Sequence, residues 1–135
     1  MRPCDIAQLA FKPFATNDVV LVVGEDRAVH EVALGGAGRF ESIPTLTLFV
    51  SSGAAYLVGS HLTVNLLLAT LPRDAAVSFE NSDSVRSPRI AESRLAFECI
   101  VTATGTLDGE HVQNRILVAR VVSAYQRWPR GCAIT

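Results

Sequence analysis

From Ser42 to Pro72 the chain carries no Asp, Glu, Lys or Arg. A stretch that long without a charge belongs either in a membrane or in a protein core. A helix that crosses a bilayer needs about 20 consecutive apolar residues, and Ser51-Ser52-Gly53 and Gly59-Ser60-His61 cut this segment into shorter pieces. It is therefore read as core, and no membrane association is expected. Within it, Pro44 opens Thr45-Leu-Thr-Leu-Phe-Val-Ser51. Leu46, Leu48 and Val50 share one face there, the period-two pattern of a half-buried strand.

The same pattern organises the rest of the chain. Val19-Val-Leu-Val-Val23 reads as a strand closed by a turn at Gly24-Glu-Asp26, and Ala28 to Leu34 as a second strand running into the glycine-rich stretch Gly35 to Gly38. His61 to Leu68 is a fourth, apolar strand, following the Pro44 strand. Leu95 to Ala103 alternates, Gly105 to Gly109 reads as a turn, and Asn114 to Tyr125 makes a long final strand that pairs with it. Short helices are expected at Asp5 to Phe11, at Ala54 to Val58 and, after Pro72, through Ala75-Ala-Val-Ser-Phe79. Asp83 to Arg89 is polar and holds a Ser-Pro pair, so it is expected to be a mobile loop lying over a site. Six strands against two or three short helices imply a mainly antiparallel barrel or sandwich.

At 135 residues, with 49% apolar and 19% charged residues and a net charge of -1, the chain reads as one domain spanning residues 1–135. Its 11 arginines and one lysine are scattered among 13 carboxylates, so no nucleic-acid partner is expected. Cys4, Cys99 and Cys132 are odd in number and widely spaced, which argues against a disulfide framework or a zinc knuckle and suits a reducing cytoplasm. The first residues do not form a signal-peptide pattern, and His30 and His61 lack partners at metal-ligand spacing, so no metal site is expected. No Gly-x-Ser-x-Gly elbow supports a nucleophilic serine.

One residue resists a folding argument. Asn65 sits inside Leu62-Thr-Val-Asn-Leu-Leu67, where a buried amide must satisfy four hydrogen-bonding sites. Either it ties down a neighbouring turn or it faces a ligand.

Four segments together resemble the flavin reductase-like family, whose fold is the FMN-binding split barrel. They are Pro44-Thr-Leu-Thr-Leu-Phe49, Leu62-Thr-Val-Asn-Leu-Leu67, Ala91 to Cys99 with the strand that follows, and Gly109-Glu-His111 before the last strand. The resemblance implies an antiparallel Greek-key split β-barrel with two or three short helices. It also implies a homodimer binding FMN or FAD, with NAD(P)H as co-substrate, in which hydride passes from nicotinamide to flavin, and a monooxygenase as a possible partner. The site residues it points to are Gly36, Ala37, Gly38 and Arg39 just before the proline-led strand, Ser51, Ser52 and Gly53 just after it, Asn65, and His111 beside the nicotinamide.

The sequence departs from the family where Leu34-Gly-Gly-Ala-Gly-Arg-Phe-Glu-Ser42 replaces the usual Thr and Ser hydroxyls. Glycines there permit close backbone approach or an anion-binding nest, with Arg39 supplying charge, or else form only a hairpin turn. The rival reading is a split barrel that binds a small hydrophobic ligand without redox chemistry, as a non-redox enzyme or an accessory subunit.

Overall fold

A computed structural model describes residues 2–4, 19–40, 42–51, 56–67, 77–108 and 113–126. Its strands are β1 (Arg2–Cys4), β2 (Val19–Gly24), β3 (Val29–Phe40), β4 (Ile43–Ser51), β5 (His61–Leu67), β6 (Phe79–Glu80), β7 (Arg89–Ile90), β8 (Ser93–Asp108) and β9 (Gln113–Gln126). Hydrogen bonds join β9, β4, β3, β2, β5 and β8 in that order, and the β8–β9 ladder closes the six into an antiparallel barrel. β2, β3 and β4 form a meander and β5 returns to lie beside β2, which is the Greek-key arrangement.

The inward face of every strand is apolar. Val20 and Val22, Val32 and Leu34, Leu46, Leu48 and Val50, Leu62 and Val64, Leu95, Phe97 and Cys99, and Leu117, Ala119 and Val121 form one core cluster. The charge-free segment thus supplies β4 and β5. Val22 opposes Val64 across β2–β5 and Leu48 opposes Leu117 across β4–β9, so same-face neighbours fill the barrel in layers.

Several local expectations change. The glycines after Leu34 do not end a strand: β3 continues to Phe40, and the turn into β4 lies beyond it, where Ser42 takes a positive φ of 69°. No helix occurs among the described residues. The segments 5–11, 54–55 and 72–76 lie outside them, and Phe79, expected in a helix, instead starts β6 and pairs with Ile90. β8 runs through Gly105 to Asp108, where a turn was expected. β1 is an unforeseen strand, laid antiparallel on β9 from Ala124 to Gln126, past the end of the β4 pairing. Cys4 on β1 is disulfide-bonded, although the odd number and wide spacing of the cysteines argued against a disulfide framework. Cys99 is free and buried, and burial pushes its thiol pKa far up.

The segment 77–92, which includes the Asp83 to Arg89 loop, is tied to the barrel by hydrogen bonds. Its backbone has few ladder partners, so side chains of the barrel's outer face supply them. Asn65 is fully buried, on the opposite face of β5 from Leu62 and Val64, and spends all four sites on the protein. Its Nδ2 donates to the Leu21 carbonyl at 3.2 Å and to Thr63 Oγ1 at 3.0 Å, while Oδ1 accepts from the Ile90 amide at 3.0 Å and Ser93 Oγ at 3.1 Å. Thr63 Oγ1 in turn donates to the Pro88 carbonyl at 2.7 Å.

Glu98, also fully buried, accepts from the amides of Asp83 at 3.3 Å and Ser84 at 2.6 Å and from Arg89 Nη1 at 3.3 Å. The Arg89 guanidinium lies 3.8 Å over the Tyr125 ring, whose hydroxyl donates to Asp83 at 2.6 Å. At the outer rim, the Arg86 amide donates to His61 Nδ1 at 3.0 Å, and the Arg86 side chain is paired with Glu25.

Replacing Asn65 with Leu strips four partners at once. Because unsatisfied buried groups each cost on the order of 1–3 kcal/mol, Asn65→Leu should lower unfolding free energy by about 3 kcal/mol, measured from urea unfolding. The rim should respond to acid. The hydrogen bond from Arg86 holds the Glu25 carboxyl below its usual range. A depressed carboxylate pKa contributes stability above the unfolded value, and that contribution disappears as pH falls through the folded one. The free energy of urea unfolding should therefore fall as pH drops below about 4, and Glu25→Ala should lose that part of the acid sensitivity.

Candidate functional site

With 77–93 covering the outer face of β5, the start of β8 and the end of β9, the outer face left open among the described residues is that of β3, β4 and the first part of β9. Its shape is set by one irregularity. Leu34 pairs with Leu48 but Gly36 pairs with Thr47, so Gly35 is the extra residue of a β-bulge. A Cβ on Gly35 would lie 2.8 Å from the Phe49 ring, so only glycine lets that ring rest on the strand.

Past the bulge, Ala37 packs against the core while Gly36 and Gly38, paired with the outward Thr47 and Thr45, face out. A Cβ on either glycine would meet nothing within 4 Å. The result is a groove of about 330 Å³ lined by Gly36, Ala37, Gly38, Arg39, Thr45, Thr47 and Val118.

Bare backbone at Gly36 and Gly38 forms part of the lining, with methyl and isopropyl groups of Thr45, Thr47 and Val118 beside it. Such a surface accepts a flat ring at van der Waals distance. Polar groups gather toward the β3–β4 turn. Arg39 Nη1 donates to the Ser42 carbonyl at 3.2 Å, which steers the guanidinium along the groove's end, and Thr45 Oγ1 donates to the Ile43 carbonyl at 3.1 Å, leaving the hydroxyl oxygen able to accept.

An anion nest needs alternating right- and left-handed residues. Gly59 is the one positive-φ glycine among the described residues, so Gly36 and Gly38 provide ladder strand and no nest. Charge for an anionic group would come from Arg39.

The four segment residues selected from sequence, Gly36, Ala37, Gly38 and Arg39, stand together in this groove. Ser51 ends β4 opposite Asn114, four residues beyond Thr47. Asn65 is elsewhere: β2 separates its strand from β3, and its amide is consumed by the 77–93 clasp, which departs from the expectation of a ligand contact. Ser52, Gly53 and His111 lie outside the described residues. Thr45 and Thr47 were missed. Their signal was present, since a strand that turns Leu46 and Leu48 inward must turn its threonines outward.

No protein-family model and no curated protein matches the chain. Solved structures do resemble it. One is a 2-nitrobenzoate 2-nitroreductase of Pseudomonas fluorescens, 15% identical, with a TM-score of 0.62 over 84% of this chain and 66% of that one. So this chain spans just under two thirds of the nitroreductase's length. Another is an NADH:FAD oxidoreductase of Streptomyces globisporus, 18% identical, with a TM-score of 0.60 over 87% of this chain and 73% of that one. The flavin reductase of a styrene monooxygenase from Pseudomonas putida is 21% identical, with a TM-score of 0.58 over 87% and 83% of the two chains.

The bulge separates two glycines that differ sharply in tolerance. Gly35→Ala should cost about 1–3 kcal/mol because the Phe49 ring must move, whereas Gly36→Ala should stay within about 0.5 kcal/mol of the parent, both read from urea midpoints. The closed barrel, its Greek-key order and these likenesses establish that the chain has the split-barrel fold of the flavin reductase-like proteins.

Proposed function

We propose that the chain is a flavin-binding oxidoreductase of the flavin reductase type, which holds FMN or FAD in the outer-face groove and accepts hydride from NADH or NADPH. The observation that carries this reading is the groove itself. It is uncharged along its floor, has one guanidinium at its end, and is built from the segment that the family resemblance singled out. Flavin, when bound, supplies the hydride-accepting chemistry. The chain's part is to present the glycine backbone to the rings, to offer Arg39 and the Thr45 and Thr47 hydroxyls to the polar tail, and to exclude water.

At about 330 Å³ the groove is near the lower end of the roughly 300–1,000 Å³ range of ligand pockets. A second copy would complete the enclosure, in keeping with a homodimer. His111, Ser51, Ser52 and Gly53 retain their proposed roles, the histidine beside the nicotinamide and the turn toward the ribityl or phosphate end. Asn65 acts at a distance, by holding the 77–93 segment. A monooxygenase that consumes reduced flavin is the partner this chemistry suits.

Purified protein titrated with FMN and with FAD should show a perturbed flavin absorbance spectrum at stoichiometric binding, and should oxidise NADH or NADPH in the presence of flavin. Gly38→Leu, which fills the groove from a position with open space above it, should leave the urea midpoint unchanged and abolish the spectral change. A protein that binds neither flavin at high micromolar concentration would instead be the non-redox binder of a small hydrophobic ligand.

A further inference from the structure

The bonds that fasten the 77–93 segment to the barrel differ in what can undo them. Asn65 holds the Ile90 amide, Thr63 Oγ1 donates to the Pro88 carbonyl, and Ser87 Oγ donates to the His61 carbonyl at 2.7 Å. Amides, hydroxyls and carbonyls do not titrate in ordinary solution. One residue earlier the fastening changes character, because the Arg86 amide donates to His61 Nδ1 at 3.0 Å. A backbone N–H only donates, so Nδ1 carries its lone pair and the ring is neutral, with its proton on Nε2. An imidazolium donates from both nitrogens, and the same contact would then set two donors face to face.

The charged groups around the ring strengthen this effect. Glu25, from the β2–β3 turn, takes the His61 amide on one carboxylate oxygen at 3.3 Å and the Arg86 guanidinium on the other. The same turn carries Asp26, whose Oδ1 accepts from the Ala28 amide, and Arg27, whose guanidinium lies 5.9 Å from the centre of the Phe79 ring. Across the β5–β8 ladder His61 pairs with the apolar Ile100. A proton on Nδ1 therefore acts on Arg86 twice. It removes the acceptor of the Arg86 amide, and it gives Glu25 a second cation that competes with the Arg86 guanidinium. Arg86 is exposed between buried Val85 and buried Ser87, so water can take up the released groups while the residues on either side stay packed.

We infer that His61 is a pH-operated catch: neutral, it holds the tip of the 77–93 segment at Arg86 against the barrel rim, and on taking a solvent proton at Nδ1 it releases that tip while the bonds to Thr63, Asn65 and Glu98 stay made. The catch is separate from the flavin reading and operates whether or not flavin binds.

A pH titration of the full chain by NMR tests it, following the His61 ring nitrogens together with the exchange protection of the Arg86 amide, corrected for its intrinsic rate at each pH. Protection should fall about tenfold as the ring gains its proton, the effect of losing roughly one hydrogen bond, and the two curves should share one midpoint. The Ile90 amide should keep its protection over the same range. His61→Asn sets a neutral acceptor near the place of Nδ1 and should hold the Arg86 amide with no response to this titration. His61→Phe offers no acceptor and should show the low protection at every pH. Glu25→Gln keeps an oxygen for the His61 amide but removes the carboxylate that favours an imidazolium, so it should move both midpoints to lower pH together. A ring that takes no proton above about pH 5 would overturn the catch, as would Arg86 protection that stays constant while the ring titrates, follows another midpoint or survives in His61→Phe. A parallel loss at the Ile90 amide would overturn it too, because the anchors would then open with the tip. None of these readouts involves flavin.

Discussion

A strand in a closed barrel has two faces, and the barrel interior can take only one of them. That constraint governs the molecule. The inward face of each barrel strand is filled mainly by Val, Leu and Phe, with Cys99 and Ala119 among them, so everything particular to this chain is decided by what happens to the outward faces. Over β5, β8 and the last part of β9 the outward face is polar, with Thr63, Asn65, Glu98, Ser123 and Tyr125, and the 77–93 segment covers it. Where β3, β4 and β9 meet at Gly36, Gly38, Thr45, Thr47 and Val118 the outward face is small and uncharged up to Arg39, and it forms a groove.

The covered face shows how an irregular segment can be buried in place of a helix or a sheet. Backbone groups that would otherwise lack partners are answered by side chains fixed on a rigid barrel. Glu98 is a buried carboxylate with two amide donors and a guanidinium, and Arg89 is held between that carboxylate and the Tyr125 ring. A buried charge of this kind is tolerable only with such a full set of partners. Burial and the bond to Asp83 push the Tyr125 hydroxyl pKa up to about 12, so this end of the clasp stays protonated at any ordinary pH.

The open face owes its form to Gly35. The bulge places Gly36 and Gly38 outward and Ala37 inward, and the Phe49 ring occupies the space that a side chain at Gly35 would need. Bare backbone on the outside of a barrel is an unusual surface to leave exposed.

Much of this was legible beforehand. Alternation in Thr45 to Ser51 and in Asn114 to Tyr125 placed β4 and β9 within two residues, and in Leu95 to Ala103 the first part of β8, because period two is dictated by the strand itself. The glycine run misled, since Gly35 to Gly38 carries the composition of a turn, and only pairing with β4 holds it extended. Phe79 misled for a related reason, as its strand exists only against Ile90. Asn65 was correctly seen as a buried amide that must find partners. Its four partners come from Leu21, Thr63, Ile90 and Ser93, three of them far away in sequence, so no local reading could name them. The sequence by itself determined a mainly β domain and which residues turn inward, because both follow from local periodicity and hydrophobicity. Which outer face would be sealed and which left open was decided by the tertiary structure alone, because that depends on long-range hydrogen bonds made only once the barrel has closed.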